Sequence, residues 1–243
     1  RENLIKLLQD KGISTKGLFY GERPTTVKTR VIAHHQQVIR FDREDTAPIS
    51  KSVLNKLKEF IFDLKDHWDG VVISDYKKGV VSSALMKIIR EEFLSRKRFV
   101  VVDPKIGHFH LYRGVTAITP NIKEASDGAR LKIRDEKSLL IAGQRLKKKL
   151  DCQCVLITRG EEGMSLFIDA QVSHIPTVAR DVFDVTGAGD TVVAAFSLFH
   201  LAGASFYEAA ALANVAAGVV VGKVGTAVVT QNEIKKFIKE VYK

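Results

Sequence analysis

The sequence is short of the features that would place it at once. It has only two cysteines, Cys152 and Cys154, in Asp151-Cys-Gln-Cys-Val155. Side chains two apart on a strand share a face, but the spacing suits neither a disulfide nor a zinc site. Disulfide-stapled and zinc-stapled folds are therefore not expected. Buried free thiols are expected, as in a reducing cytoplasm. No run of about 18 apolar residues without charge occurs, so no membrane span is expected. The most apolar stretch, 209–221, is shorter and carries a helical pattern. No secretory signal pattern is read at the start of these residues, which open at Arg1 and not at a Met. The chain opens in a helical pattern (Leu4, Ile5, Leu7, Leu8), which leads us to expect a polypeptide that begins earlier. Also lacking are internal repeats, low-complexity segments and any Gly-x4-Gly-Lys-Ser/Thr phosphate loop.

What is there fits an α/β protein. Its 243 residues, 45% hydrophobic, suffice for one large domain or two small ones. The formal charge is +10. Part of the excess lies in 145–149 and 235–239, read as solvated helix faces. No basic run is interleaved with aromatics, so nucleic acid is not an expected partner. The charge suits a site for two anionic substrates. Apolar β-rich runs at 70–74, 98–103, 115–119 and 153–158 alternate with helical periods at 82–96 and 135–150. That alternation predicts a mostly parallel sheet covered by helices. Residues 25–42 read as antiparallel strands of a small lid or a sheet edge, the lid segment placed at about 22–45. Residues 164–168 and 171–175 read as a hairpin turning at Asp169-Ala170. Three helices are predicted to follow, at 188–201, 205–222 and 231–242.

The chemistry concentrates in Asp184-Val-Thr-Gly-Ala-Gly-Asp190, which runs straight into the apolar helix from 191. Small residues at a helix start let backbone N–H groups approach an anion, and the helix dipole adds positive potential. A carboxylate there would repel a phosphate if binding were its only task. Asp190 makes sense as the base that takes the proton of an attacking hydroxyl.

This run resembles the C-terminal signature of the ribokinase-like carbohydrate kinases, and other motifs follow in that family's order. The resemblance implies a three-layer α/β sandwich with a mostly parallel central sheet, helices on both faces and a β lid. In that family the last Asp is the base, here Asp190, and the amides of Gly187, Ala188 and Gly189 form the anion hole. Asn121-Ile-Lys-Glu124 resembles the family's Asn-x-x-Glu motif, so Asn121 and Glu124 are expected to organise Mg²⁺ through water around ATP. Thr158-Arg-Gly-Glu-Glu-Gly163 resembles the nucleotide-phosphate loop, which implicates Thr158, Gly160 and Gly163. Asn214 falls where the family lines the adenine pocket. Gly222-Lys-Val-Gly-Thr226 resembles the loop over the adenine, with Gly225 at its tip. In some members this loop, with residues placed like Asp184 and Thr186, holds a monovalent cation such as K⁺.

Three further stretches are similar to the branch that phosphorylates the anomeric hydroxyl of D-glycero-D-manno-heptose 7-phosphate, on the route to ADP-heptose and lipopolysaccharide. They are 23–30 continuing to 35–43, Ser74-Asp-Tyr-Lys-Lys-Gly79 and Val102-Asp-Pro-Lys105, with support from 216–226. On this reading Lys28, Arg30, Lys78 and Lys105 meet the sugar's phosphate or the charge of the transition state, and Asp75 accepts a sugar hydroxyl. The branch's opening strand and Gly-Gly sugar motif precede Arg1, so the N-terminal part of the fold is expected to be missing here. Some relatives carry a nucleotidyltransferase domain with a His-x-Gly-His motif; none occurs in these residues, so only the kinase step is expected of them. A cytoplasmic homodimer pairing through the lid, with ATP and a sugar phosphate as small-molecule partners, completes the expectation.

Overall fold

The structure is a computed structural model that describes residues 2–33, 36–179 and 182–241. It divides into two compact units, residues 1–67 with 77–88 and residues 68–76 with 89–243.

In the first unit, α1 (Glu2–Asp10) has no buried residue. The strands β1 (Val27–Ala33) and β2 (Gln36–Arg43) pair antiparallel as expected, with a register shift between Val31 and Ile32. Strand alternation gives this hairpin two unlike faces. Val27, Thr29, Val31, Ile39 and Phe41 share one, and the large apolar residues among them are all exposed. Lys28, Arg30, Arg40 and Asp42 share the other. His34 and His35 lie outside the described residues. Residues 51–64, given no element above, form α2 (Lys51–Leu64). Ser50 caps it by accepting a hydrogen bond from the N–H of Val53. The helix α3 (Ser83–Glu92) is shorter than the predicted 82–96. Phe93 takes φ −119°, and a 3-10 turn over Leu94–Arg96 ends at Lys97 with positive φ.

The second unit is built on one sheet in the order β3 (Gly70–Ser74), β4 (Phe99–Asp103), β5 (Ala117–Ile118), β6 (Cys154–Thr158), β7 (Met164–Ile168) and β8 (Gln171–Ile175). The first four strands are parallel, and the β7–β8 hairpin closes the series antiparallel. The predicted strand at 115–119 is only two residues long. Its neighbour Thr116 interrupts the ladder: its Oγ1 accepts from Val100 N, and its carbonyl accepts from both Gln153 N and Cys154 N.

Both sheet faces are covered, and the two-residue period of the strands shows it. Phe99, Val101, Cys154, Leu156, Met164 and Leu166 face one way, into a core shared with α6 (Ala188–Leu201) and α7 (Phe206–Val221). Val100, Val102, Val155, Ile157 and Phe167 have the opposite parity and are fully buried. Against that face lie α4 (Ile122–Ala129) and α5 (Glu136–Leu150). Gly143 of α5 packs so closely on Phe167 that an added Cβ would sit 2.3 Å from the ring. The last helix, α8 (Gln231–Val241), packs on α7. Cys152 and Cys154 are free and buried, as expected. Burial pushes the Cys152 thiol up to about 11, so it is not a reactive group.

Candidate active site

The chemistry-bearing residues of the second unit gather at the C-terminal ends of the parallel strands, where ligands sit in open α/β sheets. Gly187 precedes α6 at φ +82°, a left-handed conformation natural to glycine. Asp184 Oδ1 accepts from Thr186 N at 2.9 Å and tightens the turn into the helix. The Ala188 amide, predicted for the anion hole, donates to the Val185 carbonyl at 3.2 Å, while the amides of Gly189 and Asp190 that follow it have no acceptor within their own helix, as at every helix start. Space is open in front of Gly189: an added Cβ there would meet nothing within 4 Å. Asp190 lies in this first turn, exposed, and Tyr76 donates a hydrogen bond to its Oδ1 at 3.1 Å. Burial, and then the Asp190 charge, raise the Tyr76 phenol and keep it protonated as the donor.

A cavity of about 500 Å³ adjoins this helix start. Thr158, Gly160, Gly163, Ala188, Gly189 and Asn214 all line it. Much of the remaining wall is apolar, including Met164, Val182, Val185, Val192 and Val221. That mixture of a mostly apolar wall and a few polar groups is what a heteroaromatic base with attached phosphates requires. Gly163 has φ +82°, and an added Cβ would lie 2.1 Å from the Ile175 carbonyl oxygen, so only glycine fits. Arg159 braces the same loop. Its Nε and Nη2 donate to Glu162 Oε2 at 3.2 and 2.8 Å, and its Nη1 donates to the fully buried Ser165 hydroxyl at 3.1 Å. Asn214 is buried, and its Nδ2 donates to the Pro176 carbonyl at 2.7 Å. Gly225 is not among the lining residues of the cavity. Its loop instead reaches α6, with the Thr226 methyl 3.4 Å from where a Gly187 Cβ would be.

Asn121 and Glu124 form a reciprocal capping box at the start of α4. Asn121 Oδ1 accepts from Glu124 N, and Glu124 Oε2 accepts from Asn121 N, each at 3.0 Å. This structural role occupies one oxygen of each. Glu124 Oε1 turns the other way, 3.9 Å from Lys105 Nζ. Beside them is Asp103, at the end of β4, within the Val102–Lys105 motif. Burial raises its carboxyl to about 7, and the negative charges of Glu124 and Asp190 add to the rise, against Lys105 and Thr119. Asp103 therefore stands within the field of two further acids, Glu124 and Asp190. A hydrated Mg²⁺ fits such a set, since it keeps much of its water and needs few direct ligands. Among the described residues, no group of three or more His, Cys, Asp or Glu is placed to hold a metal ion by itself.

Asp75 does not sit as expected for a sugar ligand. It is 4% exposed, and its Oδ2 accepts from the Tyr112 hydroxyl at 2.6 Å and lies 2.7 Å from His108 Nδ1. Neither Tyr112 nor His108 was singled out in the sequence. Both follow β4 in the segment that returns to the strand ends, and that position was their only signal.

In the first unit, Lys28 and Arg30 share the charged face of the hairpin. Lys28 stands opposite Asp42, and Arg30 opposite Arg40. Asp42 takes both Nε and Nη2 of Arg40, at 2.9 and 2.6 Å. Two arginines facing one another across strands cost stability unless an anion lies between them. Asp42 already offsets part of this charge, and Arg40 joins Lys28 and Arg30 only as a neighbouring candidate for meeting an anion. Lys78 is ion-paired with Glu44, so part of its charge is already compensated.

The chain is similar to known proteins along nearly its whole length. The pfkB family carbohydrate kinase model matches residues 1–233. The chain is 47% identical over 233 residues to the bifunctional protein HldE of Geobacter metallireducens, covering 95% of this chain and 48% of that one. It is 44% identical over 241 residues to HldE of Nitratiruptor sp., covering 99% and 51%. The chain thus spans about half the length of these curated relatives. Among solved structures, phosphofructokinase-2 of Escherichia coli in complex with potassium superposes with TM-score 0.81 at 19% identity, covering 100% of this chain and 79% of that one. Ribokinase of Giardia lamblia gives 0.80 at 18%, covering 97% and 78%. At such identities these two structures establish a common fold.

Proposed function

The chain belongs to the pfkB family of carbohydrate kinases, and from that premise we propose that it transfers the γ-phosphoryl group of ATP to the anomeric hydroxyl of D-glycero-D-manno-heptose 7-phosphate. The product would be the 1,7-bisphosphate, on a cytoplasmic route to ADP-heptose and lipopolysaccharide core. The observation that carries the kinase chemistry is the exposed Asp190 in the first turn of α6, beside a cavity lined by the glycine-rich turns. The choice of sugar rests on the similarity to the HldE proteins and on the motifs at 23–43, 74–79 and 102–105.

Asp190 accepts the proton as the sugar hydroxyl attacks, and Tyr76 holds the carboxylate in place. The amides of Gly187 and Gly189, joined by that of Ala188 once it leaves the Val185 carbonyl, would face the charge that spreads over the transferring PO₃ group. The cavity takes the nucleotide, with Thr158, Gly160 and Gly163 toward its phosphates and Asn214 on the wall of the base pocket. Mg²⁺, when bound, would neutralise charge on the nucleotide phosphates, with Asn121, Glu124 and the neighbouring Asp103 arranging its waters. Asp184, Thr186 and the loop of Gly225 remain the proposed place of a monovalent cation. Lys28 and Arg30, joined by Arg40, meet the phosphate already on the sugar, and the exposed apolar face of the hairpin supports a homodimer through the lid. For Lys78 we retain only a contribution to the sugar side, through its pair with Glu44.

The test is ADP release measured across a panel of sugars and sugar phosphates. Turnover is expected with heptose 7-phosphate. Activity with ribose or a ketohexose phosphate in its place would reassign the chain within its family.

A further inference from the structure

Asp75 is almost fully buried, yet it lies in a motif that invites reading as a substrate ligand. Its surroundings point to other work. Its N–H donates to the Asp103 carbonyl at 3.0 Å, carrying the β3–β4 pairing one residue past the strand. Its Oδ2 takes the Tyr112 hydroxyl and faces His108 Nδ1. The same Tyr112 oxygen accepts from the backbone N–H of Lys105 at 3.1 Å. Tyr112 is fully buried, and burial together with Asp75 holds its phenol far above the usual range, so it remains a donor to Asp75 at any working pH. One unbroken chain of bonds therefore runs from Asp75 through Tyr112 to the backbone of Lys105. The ammonium of Lys105 in turn lies 3.9 Å from Glu124 Oε1, and its charge acts on Asp103.

We propose that Asp75, Tyr112 and His108 form a buried positioning relay that holds Lys105 over the carboxylates of the phosphoryl-transfer site. The proposal rests on the kinase reading above and deepens it. Asp75 is then a positioning residue, while Lys105 is the group that meets the developing charge. Lys105 suits that task because its side chain is 45% exposed and long. Left untethered, its backbone would let the ammonium wander, and misplacement by about 1 Å costs rate steeply. Fixing its N–H on a hydroxyl that is itself fixed on a buried carboxylate removes that freedom. His108 supplies a second donor to the same oxygen and keeps Asp75 oriented toward Tyr112.

The experiment uses Tyr112→Phe, which keeps the buried ring and removes only the hydroxyl. Two readings are taken. The first, independent of any activity, is hydrogen exchange at the Lys105 amide, expected to speed up at least about tenfold as its acceptor disappears. The second is a cycle with Lys105→Ala. Tyr112→Phe is expected to lower kcat about tenfold with KM for ATP little changed, and to have no further effect once Lys105 is Ala. Unchanged exchange, or losses that simply add, would overturn the relay. Should the wild-type chain phosphorylate no sugar, the kinase reading fails, but the exchange measurement still decides whether the tether exists. If Tyr112→Phe does not fold, Asp75→Asn is carried through the same two readings. It keeps the Tyr112 hydroxyl as acceptor, so a smaller rise in exchange at the Lys105 amide is expected, again with no further effect on kcat once Lys105 is Ala. Unchanged exchange or additive losses would overturn the relay here too.

Discussion

Replacing Asp103 by Asn is expected to stabilise the protein, and to do so increasingly as pH rises. In the folded state burial, Glu124 and Asp190 raise this carboxyl from 3.8 to about 7. The folded chain therefore binds the proton more tightly than the unfolded one. The stability tied to that proton is complete below about pH 4, falls as pH rises toward 7, and is gone above it. Three pH units at about 1.4 kcal/mol each set an upper limit of about 4 kcal/mol. Asp103 is only partly buried, so solvent screening reduces the expected gain to about 2 kcal/mol at pH 8. For a chain of this length that is a rise in Tm of about 4–8 °C. Thermal melts of both proteins at pH 5 and pH 8 test it. The variant should exceed wild type clearly at pH 8 and by much less at pH 5. Mg²⁺ with ADP should narrow the gap at pH 8, because a cation nearby favours the charged carboxylate. Equal melting temperatures at pH 8, or a gap that does not depend on pH, would refute the reasoning. The variant should also lose turnover, a carboxylate kept for function at a cost to stability.

Other consequences are as direct. Gly163→Ala should lower stability by about 1–3 kcal/mol and raise KM for ATP, because the methyl collides with the Ile175 carbonyl and the φ is unsuited to alanine; unchanged melting and KM would argue against the loop as placed. Arg40→Gln and Arg30→Gln should each raise KM for the sugar phosphate severalfold, with less effect on kcat and a weaker dependence on salt, read from initial rates between 50 and 300 mM NaCl. Tyr76→Phe should lower kcat by about threefold to tenfold while leaving nucleotide affinity by calorimetry intact, since it removes only the donor on Asp190.

Much of the second unit was legible because its signals are local. The β7–β8 hairpin and α6 fall on the predicted residues, and α7 is bounded by Ser205 and Gly222 at the predicted ends. Strand β5 was less so, because its interruption comes from the Thr116 side chain bonding to another strand, and no period encodes that. The end of α3 was missed for a similar reason: Phe93, apolar and well placed in the helical pattern, leaves the helix to fill the core. At the site, the glycine turns were readable because backbone geometry demands glycine locally. Asp103, Tyr112 and His108 were not, since their roles arise from neighbours distant in the chain. Asp75 shows the converse. Its motif drew attention to it, but only its burial and its Tyr112 and His108 contacts show what it touches.

The most direct test of the central claim is the turnover of Asp190→Asn, with ATP affinity measured on the same preparation. The substitution keeps size and the Tyr76 contact but removes the base. The account predicts a loss of turnover of about a thousandfold or more with ATP binding essentially unchanged. Turnover near wild type would contradict it, because the proton of the attacking hydroxyl would then be going elsewhere.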